Sequence, residues 1–235
     1  MRAFILFGLA VCLEAQTQPS PPAPGRGSMS DPGVIRRYAA ENAALPRPVA
    51  GEKRVVFMGD SITDLWGRRY GKFFPGQPYL NRGISGQVTP QMLLRFRQDV
   101  IALEPRAVVI LAGTNDIGGT LGPVDAEATH ANLMSMVELA KAHGIRVVLA
   151  SLTPVCDYIS PQTEKRPIEK IRQMNGWIKS YAERAGVVYL DYYSAMLDDQ
   201  GMLRKELTFD GLHPNDAGYE LMAPLAEKAI AAALK

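Results

Sequence analysis

Residues 59–63 read "GDSIT" and follow directly on the apolar run "RVVFM". A serine placed where a buried strand stops has two readings. Ser61 or Asp60 caps the next helix, or Ser61 is a nucleophile raised at the carboxyl edge of a sheet. A serine hydroxyl attacks a carbonyl only when a base takes its proton, and the base needs a carboxylate to orient it. The chain has 3 histidines, His130, His143 and His213. Only His213 has an acid beside it in a turn-like setting, Asp210 in "FDGLHPN". On a tight turn this i, i+3 spacing brings the carboxylate to one ring nitrogen and leaves the other free. His130 and His143 fall on a helix predicted to open at Asp125, and they read as solvent-exposed helix residues.

Acyl transfer also needs donors for the developing oxyanion. The candidates are the backbone N–H groups of Ser61 and of Gly86 in "NRGISGQ", and the side-chain amide of Asn115 in "GTND". A glycine permits close approach of backbone to a ligand. A plain turn at Gly86 and a helix cap at Asn115 are the alternatives. Asp60 and Asp116 read as acids that tie down the loops carrying Ser61 and Asn115 rather than as a second base. The aromatics Trp66, Tyr70, Phe73, Phe74 and Tyr79 follow the serine. They either pack a helix and its connection, or Trp66 or a neighbour lines the acyl or alcohol pocket.

These residues need a scaffold that gathers them. Apolar stretches predict strands at 54–58, 78–83, 107–112, 145–151 and 187–191. The runs "AVVILA" and "IRVVLAS" are apolar throughout, as strands buried on both faces are. Between them lie helical periods. One is capped at Thr89 with Pro90 behind it and runs to about Ala102. Others run from Asp125 to Gly144, from about Ile168 to Gly186, and from Asp216 to the C-terminus with a kink at Pro224. Strands separated by helices make a parallel sheet with helices on both faces, and ligands bind such sheets at the carboxyl ends of the strands. "GDSIT", "GISGQ" and "GTND" all fall there.

At 235 residues the chain holds one good-sized domain, with 47% hydrophobic and 21% charged residues. A net charge of +2 gives no reason to expect nucleic acid or an anionic membrane as partner. Scarce histidine argues against a zinc hydrolase. No G-x-G-x-x-G follows the first strand, which excludes a dinucleotide-binding reading. Residues 1–15 read as a signal peptide, with Arg2, the apolar "AFILFGLAVCL" and cleavage after Ala15. "LAVC" ending at Cys12 resembles a lipoprotein box, with Val11 in place of a small residue. Residues 16–33 are a Pro/Gly/Ser-rich linker. Residues 34–235 are then the domain, with a short helical extension before a folded body that starts near Lys53. After cleavage only Cys156 remains, so no internal disulfide is available.

In its four ordered blocks the sequence resembles the SGNH (GDSL-type) hydrolases: "GDSIT" with Ser61, "NRGISGQ" with Gly86, "GTND" with Asn115, and "DGLHPN" with Asp210 and His213. The resemblance runs from about residue 53 to 232. It implies Ser61 as nucleophile, His213 as base, Asp210 as its partner, and Ser61 N–H, Gly86 N–H and the Asn115 side chain as oxyanion hole. It also implies a flavodoxin-like three-layer α/β/α sandwich with a five-stranded parallel sheet, and no metal or organic cofactor. The expectation is a secreted or periplasmic serine esterase for short acyl groups, with O-acetyl groups on carbohydrates as fitting substrates. A lysophospholipase or thioesterase, and a non-catalytic carbohydrate-binding module, are the alternatives. No stable membrane insertion is expected once the signal is cleaved, and the oligomeric state is not legible.

Overall fold

The computed structural model describes residues 35–123 and 125–235. The predicted signal peptide and linker lie outside the described residues. The sheet has five strands: β1 (Val55–Gly59), β2 (Tyr79–Gly83), β3 (Ala107–Leu111), β4 (Arg146–Ala150) and β5 (Val188–Leu190). Their order is β2-β1-β3-β4-β5, and every pairing is parallel. This is the predicted α/β sheet, with β1 in register with both neighbours: Gly59 lies opposite Gly83 and Leu111.

The alternation of side chains along the strands divides the core. Val56, Met58, Val108, Ile110 and Leu149 face one layer. It is made by α3 (Thr89–Asp99), α5 (Ala126–Ala142) and α6 (Ile168–Ala185), which contribute Met92, Phe96, Leu133, Met136, Ile171 and Ile178. Val55, Phe57, Val109, Leu111 and Val148 face the opposite layer, where α8 (Asp216–Ala233) contributes Tyr219, Met222 and Ile230. Each such side chain, fully buried, contributes about 1.5–3 kcal/mol. Strands buried on both faces explain the uninterrupted apolar runs.

The helix ends follow local chemistry. Asp125 caps α5 through Glu127 N–H, Asn215 caps α8 through Gly218 N–H, and Gly186 ends α6 in the left-handed conformation. Thr89 is the first residue of α3 and not its cap: the extended Val88 holds that position, and Thr89 gives its N–H and its hydroxyl to Asp116 Oδ1 at 3.1 and 2.5 Å. That helix stops at Asp99, and a 3₁₀ turn covers Ile101–Leu103. The short helix α7 (Tyr193–Met196) follows β5, and helix α8 continues through Pro224.

The body begins earlier than Lys53. Helix α1 (Ala39–Ala44) and residues 35–38 bond to β2 and its surroundings, with Asn42 accepting from Arg82 Nε at 2.9 Å. Tyr38 is buried and its hydroxyl donates to Gly83 O, while Arg37 pairs with Asp64 at 2.9 Å and Asn42 donates to Asp99 at 2.7 Å. The predicted short helix is thus tied to the body, by polar, long-range bonds that no apolar period announces.

Candidate active site

Strand β1 delivers its last residue, Gly59, to a tight turn into α2 (Ser61–Asp64). A Cβ on Gly59 would lie 2.1 Å from Thr63 Oγ1, and one on Gly83 would lie 2.2 Å from Asp64 N, so the turn closes only over two glycines. Asp60 is the cap: its Oδ1 accepts from Ile62 N–H at 2.9 Å. The Ser61 hydroxyl is therefore free of capping duty and meets His213 Nε2 at 2.8 Å.

His213 and Asp210 share one turn before α8. Asp210 Oδ1 accepts the backbone N–H groups of His213 at 2.8 Å and Leu212 at 3.0 Å. Its Oδ2 meets His213 Nδ1 at 2.6 Å. A carboxylate only accepts, so the neutral ring carries its proton on Nδ1 and offers Nε2 to the serine. Burial alone would raise the Asp210 carboxyl, but its bonds to the His213 side chain and to the turn N–H groups hold it below the usual range. Thr208 ties the turn from both sides, accepting from Gly211 N–H at 3.0 Å and donating to His213 O at 2.7 Å. Gly211 has φ +89°, and a Cβ there would sit 2.4 Å from Cys156 O.

The order β2-β1-β3 sets the other two candidates on either side of Ser61, because Gly86 follows β2 and Asn115 follows β3. Gly86 has φ +81°. The preceding Ser85 gives both its N–H and its hydroxyl to Asp64 Oδ2, at 3.2 and 2.5 Å, and Asp64 is itself held by Arg37 and Arg68. Asn115 lies in α4 (Thr114–Ile117), with Nδ2 donating to Gln87 O at 3.0 Å and Oδ1 accepting from Arg166 Nη2 at 3.2 Å. Asp116 accepts the N–H and hydroxyl of Thr89, anchoring α3 to this loop. Asp60 is fully buried, which raises its carboxyl to about 6, and its Oδ2 has no partner among the described residues.

All five sequence-predicted residues thus stand at one edge of the sheet, with Ser61, His213 and Asp210 joined by hydrogen bonds. Three supporting groups escaped sequence reading: the side chains of Asp64 and Arg166 and the backbone carbonyl of Gln87. Asp64 and Gln87 sit inside or beside the quoted blocks. No spacing rule singles out Arg166. The packing reading holds for Trp66, which is 2% exposed and stacks on Tyr219 at 5.0 Å. His213 packs against Phe209. His130 stacks face to face on Trp177 of α6 at 3.9 Å, and His143 is exposed with Nδ1 on Leu139 O. Neither shares a hydrogen bond with the site.

Comparison with known proteins identifies the family. Residues 57–221 match the model of the GDSL-like lipase/acylhydrolase family. The structure of a GDSL-like lipase from Bacteroides thetaiotaomicron is 44% identical, covers 85% of this chain and 98% of that one, and superposes with a TM-score of 0.78. An acetylxylan esterase of Geobacillus stearothermophilus is 27% identical over an alignment of 205 positions that covers 74% of this chain and 91% of that protein. An uncharacterised lipoprotein of Bacillus subtilis is 36% identical over 81 residues, a match that spans only 33% of either chain. The chain belongs to the GDSL-like lipase/acylhydrolase family, a family of carboxylic ester hydrolases.

Proposed function

We propose that this protein is an exported serine esterase that removes short acyl groups, acetyl groups on carbohydrates among them, through an acyl-enzyme. The unbroken relay from Ser61 Oγ to His213 Nε2 at 2.8 Å and from His213 Nδ1 to Asp210 at 2.6 Å carries the reading. As Ser61 Oγ bonds to the ester carbonyl carbon, its proton passes to Nε2. Asp210 stabilises the imidazolium that results. The carbonyl oxygen becomes an oxyanion that receives hydrogen bonds from Ser61 N–H, Gly86 N–H and Asn115 Nδ2. Collapse expels the alcohol, which takes the proton from Nε2. Water, deprotonated by the same nitrogen, then cleaves the acyl-serine and restores the hydroxyl. A non-catalytic binder has no use for such a relay.

Substrate class and location rest on other supports. The connections after β1, β2 and β3 are short, and a shallow cleft lets each added methylene regain little of its ~0.8 kcal/mol. The acetylxylan esterase aligns over nearly its whole length. The leader-like residues 1–15 and the lipoprotein relative support export, with residues 34–235 as the hydrolase domain. Among the described residues no helix is long and apolar enough to cross a membrane.

The test is a series of aryl esters of increasing acyl length, run beside acetylated xylan, on the protein and four variants. Ser61→Ala and His213→Ala should each remove nearly all turnover, and the double variant should be little worse than either. Asn115→Ala should lower kcat about 10²–10³-fold with KM nearly unchanged. Turnover surviving in Ser61→Ala would end the serine mechanism. A higher kcat/KM for decanoyl than for acetyl esters would move the substrate class toward lipids.

A further inference from the structure

Arg166 is buried, 8% exposed, between the loop that leaves β4 and the start of α6. A buried guanidinium ordinarily has a carboxylate against it, because an unpaired charge is costly to remove from water. This one has none within ion-pair distance among the described residues. It donates from Nη2 to Asn115 Oδ1 at 3.2 Å and weakly from Nη1 to Gln162 Oε1 at 3.4 Å, while its Nε has no partner. Asp60 and Asp210 are the acids whose fields reach it. A buried cation that spends its principal bond on one neutral amide is there for that amide.

The amide in question has only one workable orientation. Arginine only donates, so the oxygen of Asn115 must face Arg166. The carbonyl of Gln87 only accepts, so the nitrogen must face Gln87. One N–H of that nitrogen is used by Gln87 and the other is left for a reacting carbonyl oxygen. Drawing electron density toward Oδ1 also makes the remaining N–H a stronger donor.

We propose that Arg166 is a positioning residue for the oxyanion donor: it locks the Asn115 amide with Nδ2 toward the reacting carbonyl and polarises it. The inference rests on the proposed role of Asn115. It assigns the guanidinium a task that matters most once negative charge appears on the substrate oxygen, so its removal acts on the transition state rather than on substrate binding. Gly118 supplies an independent handle. Its φ is −71°, so alanine fits the backbone. Yet a Cβ there would lie 3.0 Å from both Cζ and Nη2 of Arg166. Gly118→Ala therefore displaces the guanidinium without changing any charge.

The experiment measures kcat and KM on one short-chain aryl ester for Arg166→Met, Gly118→Ala, Asn115→Ala and the Asn115→Ala/Arg166→Met double variant, with Ser61→Ala as the control for the serine mechanism. Arg166→Met should lose about 10–100-fold in kcat with KM within about twofold, at an unchanged or higher Tm. Gly118→Ala should move kcat in the same direction. In the Asn115→Ala background, adding Arg166→Met should change kcat less than about twofold, because Arg166 acts through the amide that is gone. A merely structural arginine would multiply its loss onto that of Asn115→Ala. Multiplicative losses, a loss carried by KM, or wild-type kcat in Arg166→Met would overturn the proposal. Should Arg166→Met not fold, wild-type kcat in Gly118→Ala does so. An inactive Ser61→Ala beside any of these results leaves the serine mechanism standing and removes Arg166 alone.

Discussion

Asp60 shows how one residue serves the site at a cost to the fold. Its Oδ1 caps the turn that frees Ser61, but its Oδ2 is buried without a partner among the described residues. Burial lifts its carboxyl from 3.8 to about 6. Because the folded value lies above the unfolded one, the carboxyl is neutral and without penalty below about pH 4. Its contribution to stability is then lost as pH rises through about 6. The shift corresponds to about 3 kcal/mol once the group is charged. An asparagine in place of the acid keeps the Oδ1 acceptor and cannot ionise. Urea denaturation of the protein and of Asp60→Asn at pH 4, 5.5 and 7 should show the variant gaining up to about 3 kcal/mol relative to wild type across that range. A flat difference would mean that Asp60 is not held neutral by burial. At this scale the sequence was legible where chemistry is local. His213 stood out because an acid lies three residues away, and Ser61 because a strand ends on it. Arg166 did not, because its bond to Asn115 spans 51 positions and polar residues of that loop carry no period.

The elements of the site depend on one another through side chains reaching across layers. Tyr219, on the first turns of α8, sends its hydroxyl to Ile62 O at 2.8 Å and so clamps the helix bearing His213's turn to the helix bearing Ser61. Tyr219→Phe keeps the stack with Trp66 and leaves a buried carbonyl short of a donor. The expected cost is about 1–3 kcal/mol in stability, with a several-fold fall in kcat as the distance between Ser61 and His213 loosens. Thermal melts and initial rates check both; a variant with wild-type kcat would show that the turns are positioned without the clamp. Strands β1, β3 and β4 were readable as unbroken apolar runs, and α5 and α6 by their caps. The start of α3 was misread by one residue, because Thr89 is claimed by Asp116 from another loop. The short helix before Pro46 was legible, but its attachment to the body was not, since Arg37, Asn42 and the Tyr38 hydroxyl tie it down through polar bonds.

Across the whole molecule, one ion pair joins what the layers separate. Arg95 and Asp99 are both fully buried and lie 3.0 Å apart. Arg95 also reaches Gln87 Oε1 at 2.6 Å and Gly59 O at 3.1 Å, and Asp99 receives Asn42 of α1. Helix α3, the end of β1, the loop after β2 and the N-terminal segment thus meet at this one ion pair. Arg95→Met would strand Asp99 in the core with Asn42 as its remaining hydrogen-bond partner, at an expected cost of about 3–5 kcal/mol. Arg95→Met/Asp99→Leu should recover much of that loss, because no buried charge is left unpaired. Denaturation midpoints of the two variants decide it: a double variant as unstable as the single would mean that the bonds to Gln87 and Gly59, not the charge on Asp99, hold the region together.

The chain's 2 tryptophans occupy opposite situations. Trp66 is sealed in the core against Tyr219, beside the turn that presents Ser61, with its Nε1 on Lys72 O. Trp177 lies flat against His130 on the layer of α5 and α6. A protonated imidazole accepts an electron from an excited indole, so acidification dims the emission of Trp177 and spares that of Trp66. Burial lowers the His130 value, which places the dimming on the acid side of the ordinary histidine range. The protein therefore carries two native fluorophores that pH can separate, one beside the nucleophile and one reporting the far layer.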